Sequence, residues 1–276
     1  MANTIKLLTG IPRSGTTLCC KLLNQHKHVV ALHEPIDPAE LTIGNQTNQT
    51  VTQITEQIKS LSLAIEHGLP FNHGDKGGLK IDNPVGLDTK LGVRQVVAKR
   101  GQIQLPARKS GSYKLVVKQN ALFTALLPEL SKLYPIVCIV RNPVDVLLSW
   151  LTVDLPVNRG HIPAGERFDV ALKAKLQEPD CLKRQLIIYQ WFVDAFLTSG
   201  LPIVRYEDII SSNGTALDHA MALTPIKREV LNKQKRKFDD KVINSLKKAK
   251  NKLLTLNCAE LYTNEEIVKA MHIYGV

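Results

Sequence analysis

Short apolar runs alternate with amphipathic stretches along this chain, and that rhythm sets the first expectations. Ile5–Thr9 is a compact apolar run stopped by Gly10, and it reads as a buried strand. Leu18, Leu22 and Leu23, interleaved with Lys21 and followed by Asn24, recur at helical spacing and predict a helix from Thr17 onward. Val29–Pro35 (VVALHEP) is a second strand, ended by Pro35. A Gln/Asn/Thr-rich loop follows, then a helix over about Thr52–His67. Gly68–Ser112 is rich in Gly, Pro and Lys and holds no period except around Val93–Ala98, so it is expected to be irregular.

The second half repeats the theme. Tyr113–Lys118 (YKLVVK) predicts a strand, and the following ALFTALLPELSKLYP a helix that turns at Pro135. Ile136–Val140 (IVCIV) is the clearest strand of the chain; it runs into Arg141, and Pro143 opens a helix through Leu151. A loop with Pro156, Gly160, Pro163 and Gly165 and two helical stretches around Pro179 lead to a last strand, Leu201–Asp208. The tail is helical, apolar on one face and lysine-rich on the other. Strands alternating with helices predict an α/β fold of three layers, a central mostly parallel sheet flanked by helices. Neither a linker nor a repeat divides the chain, so one domain is expected over residues 1–276, with 35–112 and 152–165 as substrate-facing segments.

Composition narrows the choice only a little. The formal net charge is +11, which suits an anionic ligand. Nucleic acid is the first thought, but aromatic content is 5% and no base-stacking motif occurs, so no nucleic-acid partner is expected. Lys241, Lys247, Lys248 and Lys252 read instead as a solvated helix face. The five cysteines show neither C-x-x-C nor zinc spacing and read as reduced packing residues. No stretch approaches the ~18–20 apolar residues that cross a membrane, and the N-terminal apolar run is short for a signal peptide. A cytoplasmic protein with no membrane span is the expectation.

The candidate chemistry begins at GIPRSGTT, Gly10–Thr17. Its glycines match the phosphate loop G-x-x-x-x-G-K-[ST], yet Thr16 stands where the lysine belongs. A strand passing through a Gly-bounded loop into a helix makes an anion site from backbone N–H groups and a helix N-terminus carrying roughly half a positive charge. Ser14, Thr16 and Thr17 can add hydroxyls, and Arg13 a bidentate cation. Nucleotide triphosphatases also need an acidic residue at a strand end to hold magnesium. Here that strand ends in Arg141, and Asp145 falls inside the next helix, so a kinase-like enzyme is the lesser alternative and no metal is expected.

These residues resemble the PAPS-dependent sulfotransferases, which use 3′-phosphoadenosine 5′-phosphosulfate as sulfate donor. That family shares a 5′-phosphosulfate loop P-[RK]-S-G-T-[TS], matched by Pro12-Arg13-Ser14-Gly15-Thr16-Thr17. It also shares a 3′-phosphate signature, an Arg at a strand end followed eight positions later by a Ser, matched by Arg141 and Ser149. The tyrosylprotein and heparan-type branch, with related bacterial enzymes, places a glutamate base shortly after the second strand; Glu34 fits, with His33 beside it as the alternative. If the strand continues, alternation sends His33 and Glu34 to opposite faces, so only one should face the sulfate. The resemblance further implies Lys118 as a stabiliser of transition-state charge, although Gln119 and Asn120 follow it where that branch often has a proline. A solvated strand-end lysine is the alternative for Lys118. Tyr206, in VRYEDI, matches a family segment near the nucleotide, and Lys235, Arg236 and Lys237 stand where a C-terminal cofactor loop would lie.

Together these imply sulfuryl transfer from PAPS to a hydroxyl acceptor (a glycan, a peptide tyrosine or a small alcohol), with release of adenosine 3′,5′-bisphosphate. Arg13, the loop N–H groups and Lys118 would stabilise charge and Glu34 would accept the proton. A non-catalytic protein of the same fold that binds PAPS is the remaining alternative, and retention of Glu34 argues against it.

Overall fold

The computed structural model describes residues 4–43, 47–74, 85–87, 94–96, 101–232 and 237–276. In chain order, β1 (Thr4–Gly10) and α1 (Thr16–Leu23) precede β2 (Val29–His33), α2 (Thr47–His67) and four short strands. These are β3 (Phe71–His73), β4 (Val85–Leu87), β5 (Arg94–Val96) and β6 (Gly101–Ile103). Next come β7 (Lys114–Lys118), α3 (Ala121–Ala125), α4 (Leu127–Leu130) and β8 (Ile136–Val140). Then follow α5 (Pro143–Leu151), α6 (Pro163–Phe168), α7 (Val170–Lys175), α8 (Cys181–Ser199) and β9 (Ile203–Arg205). The last helices are α9 (Tyr206–Ser211), α10 (Thr215–Ala220), α11 (Asp240–Leu254) and α12 (Asn264–His272).

Five strands form one parallel sheet in the order β2-β7-β1-β8-β9. Their side chains alternate between two apolar layers, as a sheet covered on both faces requires. Leu7, Val30, Leu32, Leu115, Val117, Ile136, Cys138 and Val140 pack in one core with α2, α5, α8, α11 and α12. Leu8, Val29, Ala31, Val116, Val137 and Ile139 face the other, against α1, α9 and α10. The expected three-layer α/β architecture is therefore observed. Because all five strands run the same way, the loops that follow them gather along one edge of the sheet, where ligands bind in open parallel folds.

Four local expectations differ from the structure. The segment 68–112 contains two antiparallel pairs, β3 with β6 and β4 with β5. Strands of three residues are too short to display a period of two. Around Val93–Ala98, residues 94–96 form β5 and the rest lies outside the described residues. Helix α2 starts at Thr47 rather than Thr52, on a turn whose Asn48 and Gln49 are exposed and carry no apolar period. The helix expected after Lys118 breaks at Leu126 into α3 and α4, because Pro128 cannot donate to the carbonyl four residues back. Finally, the last strand is only Ile203–Arg205, and Tyr206 begins a helix with Glu207 and Asp208 in its first turn, where carboxylates favour the helix dipole. Among the described residues no helix is long and apolar enough to cross a membrane.

Candidate active site

Each central strand delivers one or more of the singled-out residues to the same edge. After β1, the loop closes tightly on β8. A Cβ on Gly10 would lie 2.6 Å from the Ile139 carbonyl oxygen, so only glycine fits there. Arg13 (φ 73) and Gly15 (φ 88) adopt left-handed conformations on either side of Ser14. Positive φ at these two positions turns the loop sharply just ahead of the α1 N-terminus. Two carbonyls of the loop are bonded outward: Pro12 O accepts from Trp150 Nε1 at 2.9 Å and Arg13 O from Arg141 Nη1 at 3.3 Å. Ser14 is fully buried; its N–H donates to Ile11 O and its hydroxyl to Ile139 O, so it shapes the loop from within. Gly15 is the N-cap of α1, placing Thr16 and Thr17 in the first turn, whose N–H groups have no intrahelical partner. Thr16 is 3% exposed and Thr17 half-buried.

The second motif meets the first. Arg141 follows β8 directly, and α5 starts at once because Asn142 caps it, accepting from Val144 N at 3.0 Å, with Pro143 pre-set for the first turn. Ser149 lies about two turns along α5, where its Oγ accepts from Arg13 Nε at 3.1 Å. The guanidinium of Arg141 stacks 4.4 Å from the centroid of the Tyr206 ring. That ring also covers Gly15, since a Cβ there would sit 2.5 Å from Tyr206 Cδ2. Tyr206, the first residue of α9, is thus wedged between the two motifs. Arg141 Nε is buried with no partner among the described residues. Buried donors are rarely left so.

Glu34 and Lys118 form the third part. Register pairs His33 with Lys118, and Lys118 continues the alternation onto the α1 face of the sheet. Were β2 to continue, Glu34 would fall on the opposite face with Val30 and Leu32. Instead β2 ends at His33, and Glu34 takes φ 47, a left-handed conformation costly for a side chain with a Cβ. Its N–H donates to Lys118 O at 2.9 Å, and its carboxylate Oε1 accepts from Lys118 Nζ at 2.6 Å. The Lys118 side chain is 2% exposed and that of Glu34 35%. Lys118 is therefore no solvated strand-end lysine. His33 is 7% exposed; its N–H donates to His73 Nε2 at 2.9 Å, and its carbonyl accepts from Gly74 N. Strand β3 so fastens the His33–Glu34 corner from outside the sheet.

Several groups that hold this edge carry no signal in the sequence. Trp150 pins Pro12, and the buried Tyr189 of α8 donates from its hydroxyl to Arg141 O at 2.9 Å. Glu207 accepts from Asn142 N and from the Tyr262 hydroxyl, tying α9 to the C-terminal region. Of the basic trio expected near a C-terminal cofactor loop, Lys235 and Arg236 lie outside the described residues, and Lys237 is exposed just ahead of α11. Among the described residues no cluster of His, Cys, Asp and Glu could hold a metal.

A five-strand parallel sheet flanked by helices, with a lysine-less Gly-bounded loop and a strand-end arginine at one edge, defines a P-loop-like α/β fold. The chain belongs to the sulfotransferase family, whose sequence model matches residues 7–218. Several solved structures are similar, two of them sulfotransferases. One is the sulfotransferase domain from the curacin biosynthetic pathway, at 14% identity over 89% of this chain and 78% of that one, TM-score 0.40. The other is a sulfotransferase from Alicyclobacillus acidocaldarius, at 12% identity over 99% of this chain and 97% of that one, TM-score 0.42. No curated protein matches the chain.

Proposed function

We propose that the chain moves a sulfuryl group from PAPS to a hydroxyl acceptor and releases adenosine 3′,5′-bisphosphate. The observation that carries the reading is the contact between the two motifs. Arg13 reaches Ser149 and Arg141 reaches the Arg13 carbonyl, so a loop suited to a 5′ anion stands beside an arginine whose buried Nε has no partner among the described residues. One nucleotide with an anion at each end of its ribose uses both. PAPS, when bound, supplies a sulfuryl group already activated on a phosphate leaving group.

The residues then divide the work. The loop at residues 13–17, with the first-turn N–H groups of α1, and the Arg13 guanidinium hold the 5′ anion, where charge develops on the leaving oxygen, and need no lysine for a third phosphate. Arg141 and Ser149 hold the 3′-phosphate, and Tyr206 fixes the angle between the two sites. Glu34 takes the acceptor proton, a step worth typically ~10²–10⁴-fold. Lys118 holds that carboxylate in place and adds positive charge beside the transferring group.

Residues 35–112 and 152–165, within a single domain over 1–276, form the acceptor side. Gln119 Nε2, just after β7, donates to Ile36 O and Arg167 Nη2 of α6 to Leu41 O, which fastens the start of the first segment to both elements. The net positive charge favours an acidic acceptor. The test is titration calorimetry with adenosine 3′,5′-bisphosphate, 5′-AMP and ATP, without magnesium and then with it. Preference for the bisphosphate supports the reading. Equal binding of all three overturns it, and tighter magnesium-dependent ATP binding overturns it in favour of a kinase-like site.

A further inference from the structure

The C-terminal turn ends against the residues that support Arg141. Tyr274 lies just past α12, where its ring meets Phe238 edge-on with centroids 5.4 Å apart. Its hydroxyl donates to Asp145 Oδ1 at 2.7 Å. Asp145 is 4% exposed in the first turn of α5, four residues after Arg141. Its second oxygen, Oδ2, stays 3.7 Å from Arg141 Nη2, beyond hydrogen-bond distance.

At that distance the two form an open ion pair one helical turn apart. A buried carboxylate one helical turn from a guanidinium gains most by closing into a short, forked pair. Here the carboxylate stops short of the fork while Tyr274 grips its other oxygen. Arg141 consequently keeps its donors: Nε has no partner among the described residues, and Nη1 makes one long bond, to Arg13 O. A closed, forked Arg141–Asp145 pair would take Nη2 and one of these donors, and would set a carboxylate against any incoming phosphate.

We infer that Tyr274 is a positioning residue for nucleotide discrimination: by engaging Asp145 it keeps the Arg141 fork open for the 3′-phosphate. This rests on the PAPS reading above. The C-terminal segment, beyond the stretch matched by the family model, thereby sets how strongly the site prefers a 3′-phosphorylated nucleotide over its 3′-dephosphorylated form.

The experiment is calorimetry on the full chain with adenosine 3′,5′-bisphosphate and with 5′-AMP, for the parent, Tyr274→Phe, Asp145→Asn and the double variant. Tyr274→Phe is expected to weaken bisphosphate binding about tenfold, the size of one charge-assisted hydrogen bond, and to leave 5′-AMP within about twofold. Asp145→Asn removes the competing charge at its source and should bind the bisphosphate at least as tightly as the parent. Adding it to Tyr274→Phe should restore binding to within about twofold, because the two changes act on one contact and are not additive.

Equal weakening of both nucleotides by Tyr274→Phe, unchanged bisphosphate binding, a double variant no better than the single one, or weaker binding by Asp145→Asn each overturns the inference. A parent chain with no preference for the bisphosphate overturns the PAPS reading itself, and that outcome is visible before any variant is compared.

Discussion

The Glu34–Lys118 pair should respond asymmetrically to removal of its two halves. Nζ and Oε1 are 2.6 Å apart, which at an effective dielectric near 20 corresponds to about 6 kcal/mol of gross attraction. The net contribution is far smaller, because an ammonium with a 2% exposed side chain has left water to make it. Glu34→Ala strands that cation. Stranding a buried charge costs about 3–5 kcal/mol, and the opening at the one-third exposed Glu34 position lets water in, placing the expected loss near the lower figure, about 3 kcal/mol. Lys118→Met does the reverse: it puts an apolar chain of similar length in a buried slot and leaves a carboxylate that water already reaches. Its stability should stay within about 1 kcal/mol of the parent.

Thermal unfolding followed by circular dichroism, checked by urea titration, measures both. At about 2 °C per kcal/mol for a chain of this size, Glu34→Ala should lower the midpoint by about 6 °C and Lys118→Met by no more than about 2 °C. The double variant should lie near Lys118→Met rather than at the sum. Equal losses for the two single variants would refute the reasoning, since they would mean that the pair acts as a symmetric surface contact.

The remaining predictions concern the site and its frame. Glu34→Gln should keep bisphosphate affinity in calorimetry while transfer to an accepted hydroxyl falls about 10²-fold or more; undiminished transfer removes Glu34 as the base. Arg141→Ala should weaken the bisphosphate about 10- to 100-fold and 5′-AMP little, and equal losses would end its assignment to the 3′-phosphate. Gly15→Ala combines a left-handed φ of 88 with a clash against Tyr206, so about 2 kcal/mol or more should be lost in the same melts, with Tyr206→Ala relieving only the steric share. Burial pushes the Cys20 thiol up to about 12 and Cys258 to about 11, and raises Cys19 and Cys138 as well. A pKa near 12 leaves on the order of one part in ten thousand as thiolate at pH 8, so a thiol reagent should label only the half-exposed Cys181 quickly until the protein unfolds. Rapid labelling of more than one thiol in the native state contradicts that burial.

What the sequence determined by itself was whatever is written in neighbouring residues. Apolar runs covered on both faces gave the strands of the parallel sheet, and the loop and strand-end motifs placed Arg13 and Arg141, because spacing along one strand–loop–helix unit is a local property. Tertiary structure decided the relations between units. Alternation placed His33 and Glu34 on opposite faces, but register with β7 and the turn braced by β3 end the strand and bring Glu34 onto Lys118. Nothing near Lys118 in sequence announces that it is buried. Tyr206 looked like the continuation of a strand, and only the approach of Gly15 and Arg141 explains why it starts a helix. Trp150, Tyr189 and Tyr274 could not be read at all. Each acts on a residue from a different segment (Pro12, Arg141 and Asp145), and a contact across the fold leaves no period, cap or spacing in the chain that makes it.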